Sequence, residues 1–449
     1  LFYPFVILSK YGHMKAILVS FLIILSTLSA EAQMYFPPAN PATWETTSPA
    51  TLGWCQQRID SLYSLLDRNN TKAFILLKDG RIVLEKYFNG HTSTSMWYWA
   101  SAGKSLTAVL VGLAQQNGNL SLADKTSKYL GSGWTGCTQA QEDKITVRHQ
   151  LTMTTGLDDT VADPFCTQPS CLTYKADPGT RWAYHNAPYT LLDSVMEKAT
   201  GQTLNAFANQ KIKTKTGMDG LFIKQGYNNV FFSTARSMAR FGLFILNKGN
   251  WNGNQILTDT AYFRSMVNTS QNLNKSYGYL WWLNGKVSFM VPQSQFVFPG
   301  SMNPHAPDDM IAAMGKDGQF INVLPSKNMV WIRMGNAPDE SPVPFLFNDK
   351  ISEYISLLSC PSGTNNPARA AKSITISPNP VPNHLTVNLE TSAGEVVLYR
   401  IFDSNGKIVC SGTEEGNNFT LETQHLPAGI YFLRCLTKSG NFAARFIKM

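Results

Sequence analysis

The sequence predicts two folded modules in one chain: an α/β (α+β) domain over residues 51–360 and a small all-β sandwich over residues 374–449. Three observations carry this. The stretch KAFILLKDGRIVLEKYFNG places two apolar runs on either side of Asp79-Gly80, a dipeptide suited to a tight hairpin turn. Helix-like segments flank it, QQRIDSLYSLLDRN just before and FLFNDKISEYISLLS at the end of the domain. From Ile374 onward the texture changes to short alternating strands, with turns at Asn379-Pro380, Ser404-Asn405-Gly406 and Pro427-Ala428-Gly429. Between the modules, PSGTNNPARAAKS (361–373) has the composition of a linker.

The elements ahead of the first module read as processing and lead-in segments. Met14-Lys15 precedes AILVSFLIILSTL, and Ala30-Glu31-Ala32 supplies the small residues of a signal-peptidase site before Gln33. Residues 1–32 are therefore expected to be a signal region, with Met14 as the start of translation. The apolar run is short for a membrane span, so no stable transmembrane segment is expected. Residues 33–50, rich in Pro, Ala and Thr, read as an extended lead-in.

Composition narrows the function. The chain has 449 residues, 43% of them hydrophobic and 15% charged, which suits packed domains and excludes disorder. Its net charge of +8 is spread without basic runs, so nucleic acid is not an expected partner. Cysteines stand at 55, 137, 166, 171, 360, 410 and 435; export permits disulfides, and an odd count leaves at least one thiol unpaired. Neither these spacings nor those of the seven histidines form a metal-site pattern, so no metal or cofactor is expected.

The chemistry-bearing stretch is YWASAGKSLTAVLVG. Lys104 opens a run that is apolar on nearly every face, the signature of a buried helix, where a lysine is costly unless paired or used. Ser-x-x-Lys alone is weak: composition supplies on the order of two matches by chance, and two occur, Ser101/Lys104 and Ser404/Lys407. The second falls in a turn of the all-β module. The first opens a helix, so Lys104 can reach Ser101 across one turn. Lysine serves as the base for a serine nucleophile only when neutral, which requires desolvation. Farther on, PGTRWAYHNAPYTLL carries Tyr184 and Asn186, two residues apart and able to project together from an extended loop, with His185 pointing the other way. AAMGKDGQFINVLPSKNMVWIRMG reads as two strands, the first bearing Gly315 to Gln319, where glycines let a substrate approach the strand edge and a backbone N–H complete an oxyanion hole.

With these motifs in hand, residues 50–360 resemble the serine β-lactamase and penicillin-binding-protein-like hydrolases, in particular the branch with class C β-lactamases, family VIII esterases and 6-aminohexanoate-dimer hydrolases. HQLTMTTGLDD, STARSMARFGLFILNKGNWNGNQIL and YGYLWW extend the likeness beyond the motifs. The resemblance implies an antiparallel sheet with flanking helices and an all-helical subdomain. It implies Ser101 as nucleophile, Lys104 as base, Tyr184 as proton relay and Asn186 as a substrate-orienting residue. Backbone amides of Ser101 and Gln319 would form the oxyanion hole. Strand alternation over Lys316-Asp317-Gly318 turns Asp317 away from the cleft and leaves Lys316 and Gly318 on the cleft side. The third motif departs from the family, which has Lys-Thr-Gly or His-x-Gly where this chain has Lys316-Asp317-Gly318. Antibiotic hydrolysis is thereby put in doubt more than acyl transfer.

In the resembled fold the first and last helices pack side by side, which implies a Cys55–Cys360 bridge; Cys166 and Cys171, around Pro169, are a second candidate pair. The C-terminal module, through SPNPVPNHLTVNL, YRIFDSNGKIV, LPAGIYFLRC and ARFIKM, resembles the sorting domain of the type IX secretion system. That implies the secretion machinery as a partner and a secreted or cell-surface protein. The expectation is an exported serine hydrolase acting on a small ester, amide or peptide through an acyl-enzyme. The alternatives are a D-amino-acid peptidase or β-lactamase, and a catalytically silent ligand-binding relative, against which the retained motif residues argue.

Overall fold

A computed structural model of the chain describes residues 34–39, 43–360, 374–390, 394–403, 407–437 and 440–449. The expected signal region, the linker and Ser404 lie outside the described residues. What is described falls into two compact units, one ending at Cys360 and one formed by the residues from Ile374 on.

In the first unit, helix α1 (Gln56–Arg68) buries Ile59, Leu62, Leu65 and Leu66, a helical stripe that packs on the strand that follows. Strands β1 (Thr71–Lys78) and β2 (Arg81–Tyr87) meet at Asp79-Gly80, both at positive φ, as the hairpin turn requires. A short β3 (Trp97–Tyr98) precedes helix α2 (Gly103–Gln116). Helix α3 (Asn186–Thr200), hairpin strands β4 (Leu221–Gln225) and β5 (Asn228–Ser233), and helix α4 (Ala235–Leu246) follow. The unit closes with β6 (Trp282–Leu283), β7 (Ile311–Gly315), β8 (Gln319–Leu324), β9 (Met329–Gly335) and helix α5 (Phe345–Ser356).

The main sheet is antiparallel throughout, in the order β2-β1-β9-β8-β7-β6. It joins the first hairpin to strands some 260 residues later: Ile75 stands opposite Ile332. Val330 faces α4, close against Gly242, while Arg333, three residues on and so on the opposite face, meets Phe347 of α5. The sheet is thus covered on both faces. Its core strands are buried along their whole length, as a sheet under two helical layers must be. Short helices and loops between β3 and β4 gather with α3 beside α2 into a helical region.

Cys55 and Cys360 form a disulfide at the adjoining ends of α1 and the chain after α5, and Cys166 pairs with Cys171. Cys137, Cys410 and Cys435 are free thiols.

The second unit consists of β10 (Ile374–Ser377), β11 (His384–Leu389), β12 (Val396–Phe402), β13 (Ile408–Glu415), β14 (Asn418–Glu422), β15 (Gly429–Thr437) and β16 (Gly440–Lys448). They form a three-stranded sheet, β10-β11-β14, and a four-stranded one, β13-β12-β15-β16. Alternate residues of both, among them Leu385, Val387, Val397, Ile401, Leu433 and Phe446, make one core.

Candidate active site

Ser101 stands one turn earlier than the sequence pattern places it. It is not in the helix but in a 3-10 turn, Ala100–Ala102, that runs into α2. Ala100 has φ 46°, a conformation that residues with a Cβ rarely adopt, and such strain gathers at functional sites. The turn is held from the small β3-β5-β4 sheet: Trp99 is fully buried, its N–H donates to Phe231 O at 2.8 Å, and its indole donates to Ser233 Oγ at 2.7 Å. Helix α2 then drives straight into the core, with every residue from Gly103 to Ala114 buried.

That burial includes Lys104, 5% exposed. Its Nζ donates to Ser101 Oγ at 3.0 Å and to Asn186 Oδ1 at 2.9 Å, and it sits over the rings of Tyr189 at 4.2 Å and Tyr184 at 5.3 Å. Among the described residues no carboxylate lies within ion-pair distance of it. Desolvation pulls its pKa from 10.5 down to about 7, a shift that the more distant Asp193 carboxylate opposes. At neutral pH a large share of Lys104 is an amine that can accept a proton.

Tyr184 and Asn186 arrive from either side of a helix start. Tyr184 lies in the extended chain before α3, and Asn186 is the first residue of α3. Tyr184 is stacked on Trp282 at 5.6 Å and edge-on to Tyr277 at 6.3 Å, so its ring has little freedom. Burial raises the pKa of its phenol, and a hydrogen bond with the Ser101 hydroxyl offsets part of the rise. His185, between them, is 2% exposed and outside the cavity lining, and burial lowers its pKa to about 4, so it is neutral at pH 7.

These groups open onto a cavity of about 650 Å³, within the span of small-molecule sites. Its lining contains Ser101, Lys104, Tyr184, Asn186 and Lys316. Here the third motif departs from the reading of the sequence. Lys316-Asp317-Gly318 is not strand: β7 ends at Gly315, β8 begins at Gln319, and the three residues are the turn between them. Side-chain alternation therefore does not apply. Asp317 (φ 62°) faces the cavity beside the exposed Lys316, and its carboxylate accepts from the Tyr98 hydroxyl. Gly318 and Gln319 are buried and do not line the cavity. The Gln319 side chain instead pairs with the backbone of Gly335, donating to its O at 2.6 Å and accepting from its N at 3.1 Å. Gly315 is needed for close approach: a Cβ there would lie 2.8 Å from the Ser101 nitrogen.

Sequence reasoning missed the amide part of the lining. Gln225, Asn228 and Asn229 from the β4–β5 hairpin and Gln293 supply it, and Asp159, ion-paired with Arg181 at 2.7 Å, stands near. Nothing local marks those residues. Tyr189 and the buried Asp193 did carry a signal: they follow Asn186 by three and seven residues and so share its face of α3. Burial raises the pKa of Asp193 to about 7, and Asn229 and Lys224 counter the rise.

The beta-lactamase family model matches residues 70–347. The chain belongs to that family. Its members are serine hydrolases built on this antiparallel sheet and helices. An uncharacterized protein of Alkalihalophilus pseudofirmus is 24% identical over 310 residues, 61% of this chain and 85% of that protein. A Bacillus anthracis structure, provisionally described as a 6-aminohexanoate-dimer hydrolase, aligns at TM-score 0.52 and 19% identity, covering 72% of this chain and 89% of that one. A Bacteroides dorei structure, provisionally described as a beta-lactamase, aligns at TM-score 0.54 and 17% identity, covering 68% and 99%. At these identities the likeness establishes the fold. The secretion system C-terminal sorting domain model matches residues 375–449, which marks this beta-lactamase-family chain for the type IX machinery and for the cell surface or the medium. Among the described residues no helix is long and apolar enough to cross a membrane.

Proposed function

We propose that this chain is a serine hydrolase that cleaves small neutral esters or amides through an acyl-enzyme on Ser101. The observation that carries the reading is the buried, depressed-pKa Lys104 whose Nζ stands 3.0 Å from Ser101 Oγ. The neutral amine takes the hydroxyl proton as Oγ forms a bond to the substrate carbonyl carbon. Tyr184, un-ionised at neutral pH, passes a proton to the leaving alcohol or amine as its bond to that carbon breaks, and Lys104 restores the phenol's proton. Water then attacks the acyl-Ser101 ester by the reverse proton path and frees the acid. Asn186, held by Lys104, orients the substrate carbonyl, and the backbone N–H of Ser101 receives the developing oxyanion, with that of Gln319, just behind the cavity lining at the end of the Lys316–Gly318 turn, as its second donor.

The cavity's chemistry supports the substrate class. Amide side chains suit an ester or amide group, whereas the Asp317 carboxylate beside Lys316 repels the carboxylate that a β-lactam carries. Lys316 itself favours the second reading, an anionic β-lactam or D-peptide substrate. A fluorophosphonate probe should label Ser101 by peptide mass spectrometry, and Ser101→Ala should abolish turnover; label on another serine refutes the assignment. Comparing kcat/KM for p-nitrophenyl butyrate and nitrocefin decides between the readings, and a tenfold advantage for nitrocefin overturns the first.

A further inference from the structure

A fully buried guanidinium lies against the Lys316–Gly318 turn. Arg333, the one charged residue of the apolar strand β9, is 0% exposed and does not line the cavity. Among the described residues no carboxylate forms an ion pair with it. Its five hydrogen bonds go to neutral oxygens: Nε donates to Thr71 Oγ1 at 2.9 Å, Nη1 to Asp317 O at 2.9 Å and Gly318 O at 2.8 Å, and Nη2 to Asn69 O at 2.5 Å and Asn336 O at 3.1 Å. A buried cation with no carboxylate in direct contact is expensive even with the Asp317 and Asp339 carboxylates close enough to favour its charge, and a core strand gains little from one unless those carbonyls must be held. Desolvation lowers its pKa to about 9, so it is still charged at neutral pH.

Two of the five bonds take successive carbonyls of the turn. In a trans peptide the N–H points opposite to the C=O. Drawing the Asp317 and Gly318 carbonyls onto Arg333 therefore turns the Gly318 and Gln319 N–H groups away from it. The fit is tight: Gly318 has φ 74°, and a Cβ there would come within 2.4 Å of Nη1. The same turn follows Gly315, which abuts the backbone of Ser101.

We propose that Arg333 is a positioning residue that sets the peptide planes of the Lys316–Gln319 turn beside the nucleophile, and through them the turnover of the site. This rests on Ser101 being the nucleophile. The effect falls on groups that meet the developing oxyanion, so it acts in the transition state and appears in kcat with KM spared.

The test uses the full chain with p-nitrophenyl butyrate, counting competent sites by the end-point of fluorophosphonate labelling. Arg333→Lys should lower kcat per labelled site by about 10- to 100-fold, less than the ~10²–10³ lost when an oxyanion donor is deleted outright, with KM within about twofold. Guanidinium added to Arg333→Ala should restore part of the loss. A core-packing role would reduce the number of labelled sites and the melting temperature but leave kcat per site unchanged, and that result overturns the proposal. If neither variant folds, Thr71→Val removes the Nε partner outside the cavity. A severalfold fall in kcat per site with unchanged KM supports the proposal, and an unchanged kcat per site overturns it. Failure of the unaltered protein to label at Ser101 would instead overturn the nucleophile assignment.

Discussion

Below about pH 7, turnover of a neutral ester is expected to fall tenfold for each unit of pH, because the protonated form of Lys104 cannot take the Ser101 proton. With the lysine pKa drawn down to about 7, roughly half the molecules carry the free amine at pH 7, against roughly one in 3,000 at the same pH for a lysine at its ordinary value. The acid limb of kcat/KM, measured from pH 5 to 10, should level off by pH 8. A rate still rising tenfold per unit through pH 9 refutes the argument. The same desolvation has a stability signature. Folded Lys104 binds its proton only below about 7, whereas the unfolded chain keeps it to about 10.5. Between those values the unfolded state holds the extra proton, so stability rises with pH. The full penalty, about 5 kcal/mol, is present below pH 7 and gone above pH 10.5. Lys104→Met keeps the length and discards the charge, so it should be inactive and gain stability over the parent at low pH. Its lost hydrogen bonds are a constant offset that cancels when the difference is taken at two pH values. From pH 8 to pH 10, where Asp193 is already ionised, the gap between the two proteins in urea unfolding should close by roughly 3 kcal/mol. A gap independent of pH would show that Lys104 is not desolvated.

Further outcomes follow from the same geometry. Tyr184→Phe keeps the ring against Trp282 and Tyr277, so the melting temperature should barely move while kcat falls by ~10²–10⁴-fold; near-normal kcat would remove Tyr184 from the proton path. Asp193→Asn deletes the anion that raises the pKa of Lys104, so the acid limb of the pH profile should move to lower pH, and an unmoved limb would uncouple the two groups. Asp317→Thr replaces the cavity carboxylate with a hydroxyl, and the ratio of nitrocefin to butyrate kcat/KM should rise; no change would show that Asp317 does not select against anions. Replacing Cys55 and Cys360 together by Ser opens a bridge spanning 305 residues and should cost about 2–5 kcal/mol in denaturant unfolding, with kcat per folded molecule retained.

What the sequence determined by itself is local or family-borne. The Asp79-Gly80 hairpin and the amphipathic α1 follow from periods and turn chemistry confined to a few residues. The closeness of Ser101 and Lys104 follows from one turn of continuous helical backbone, the 3-10 turn Ala100–Ala102 running into α2. The resemblance supplied the Cys55–Cys360 pairing, which no spacing could, since a separation of 305 residues along the chain says nothing about distance in space. Tertiary structure decided the rest. The apolar run after Lys104 announced its burial, but that α3 closes over it with Tyr189 and Asn186 is encoded by no residue near position 104. The facing of Asp317 was misjudged because alternation holds only for extended chain, and a turn at φ 62° swings the side chain into the cavity. Arg333 was visible as a lone charge in an apolar run, but its partners, Asn69, Thr71, Asp317, Gly318 and Asn336, come together only when β1 and β8 pair with β9. Sequence patterns report the period of a segment; which carbonyls a buried cation meets is fixed by the register between strands far apart in the chain.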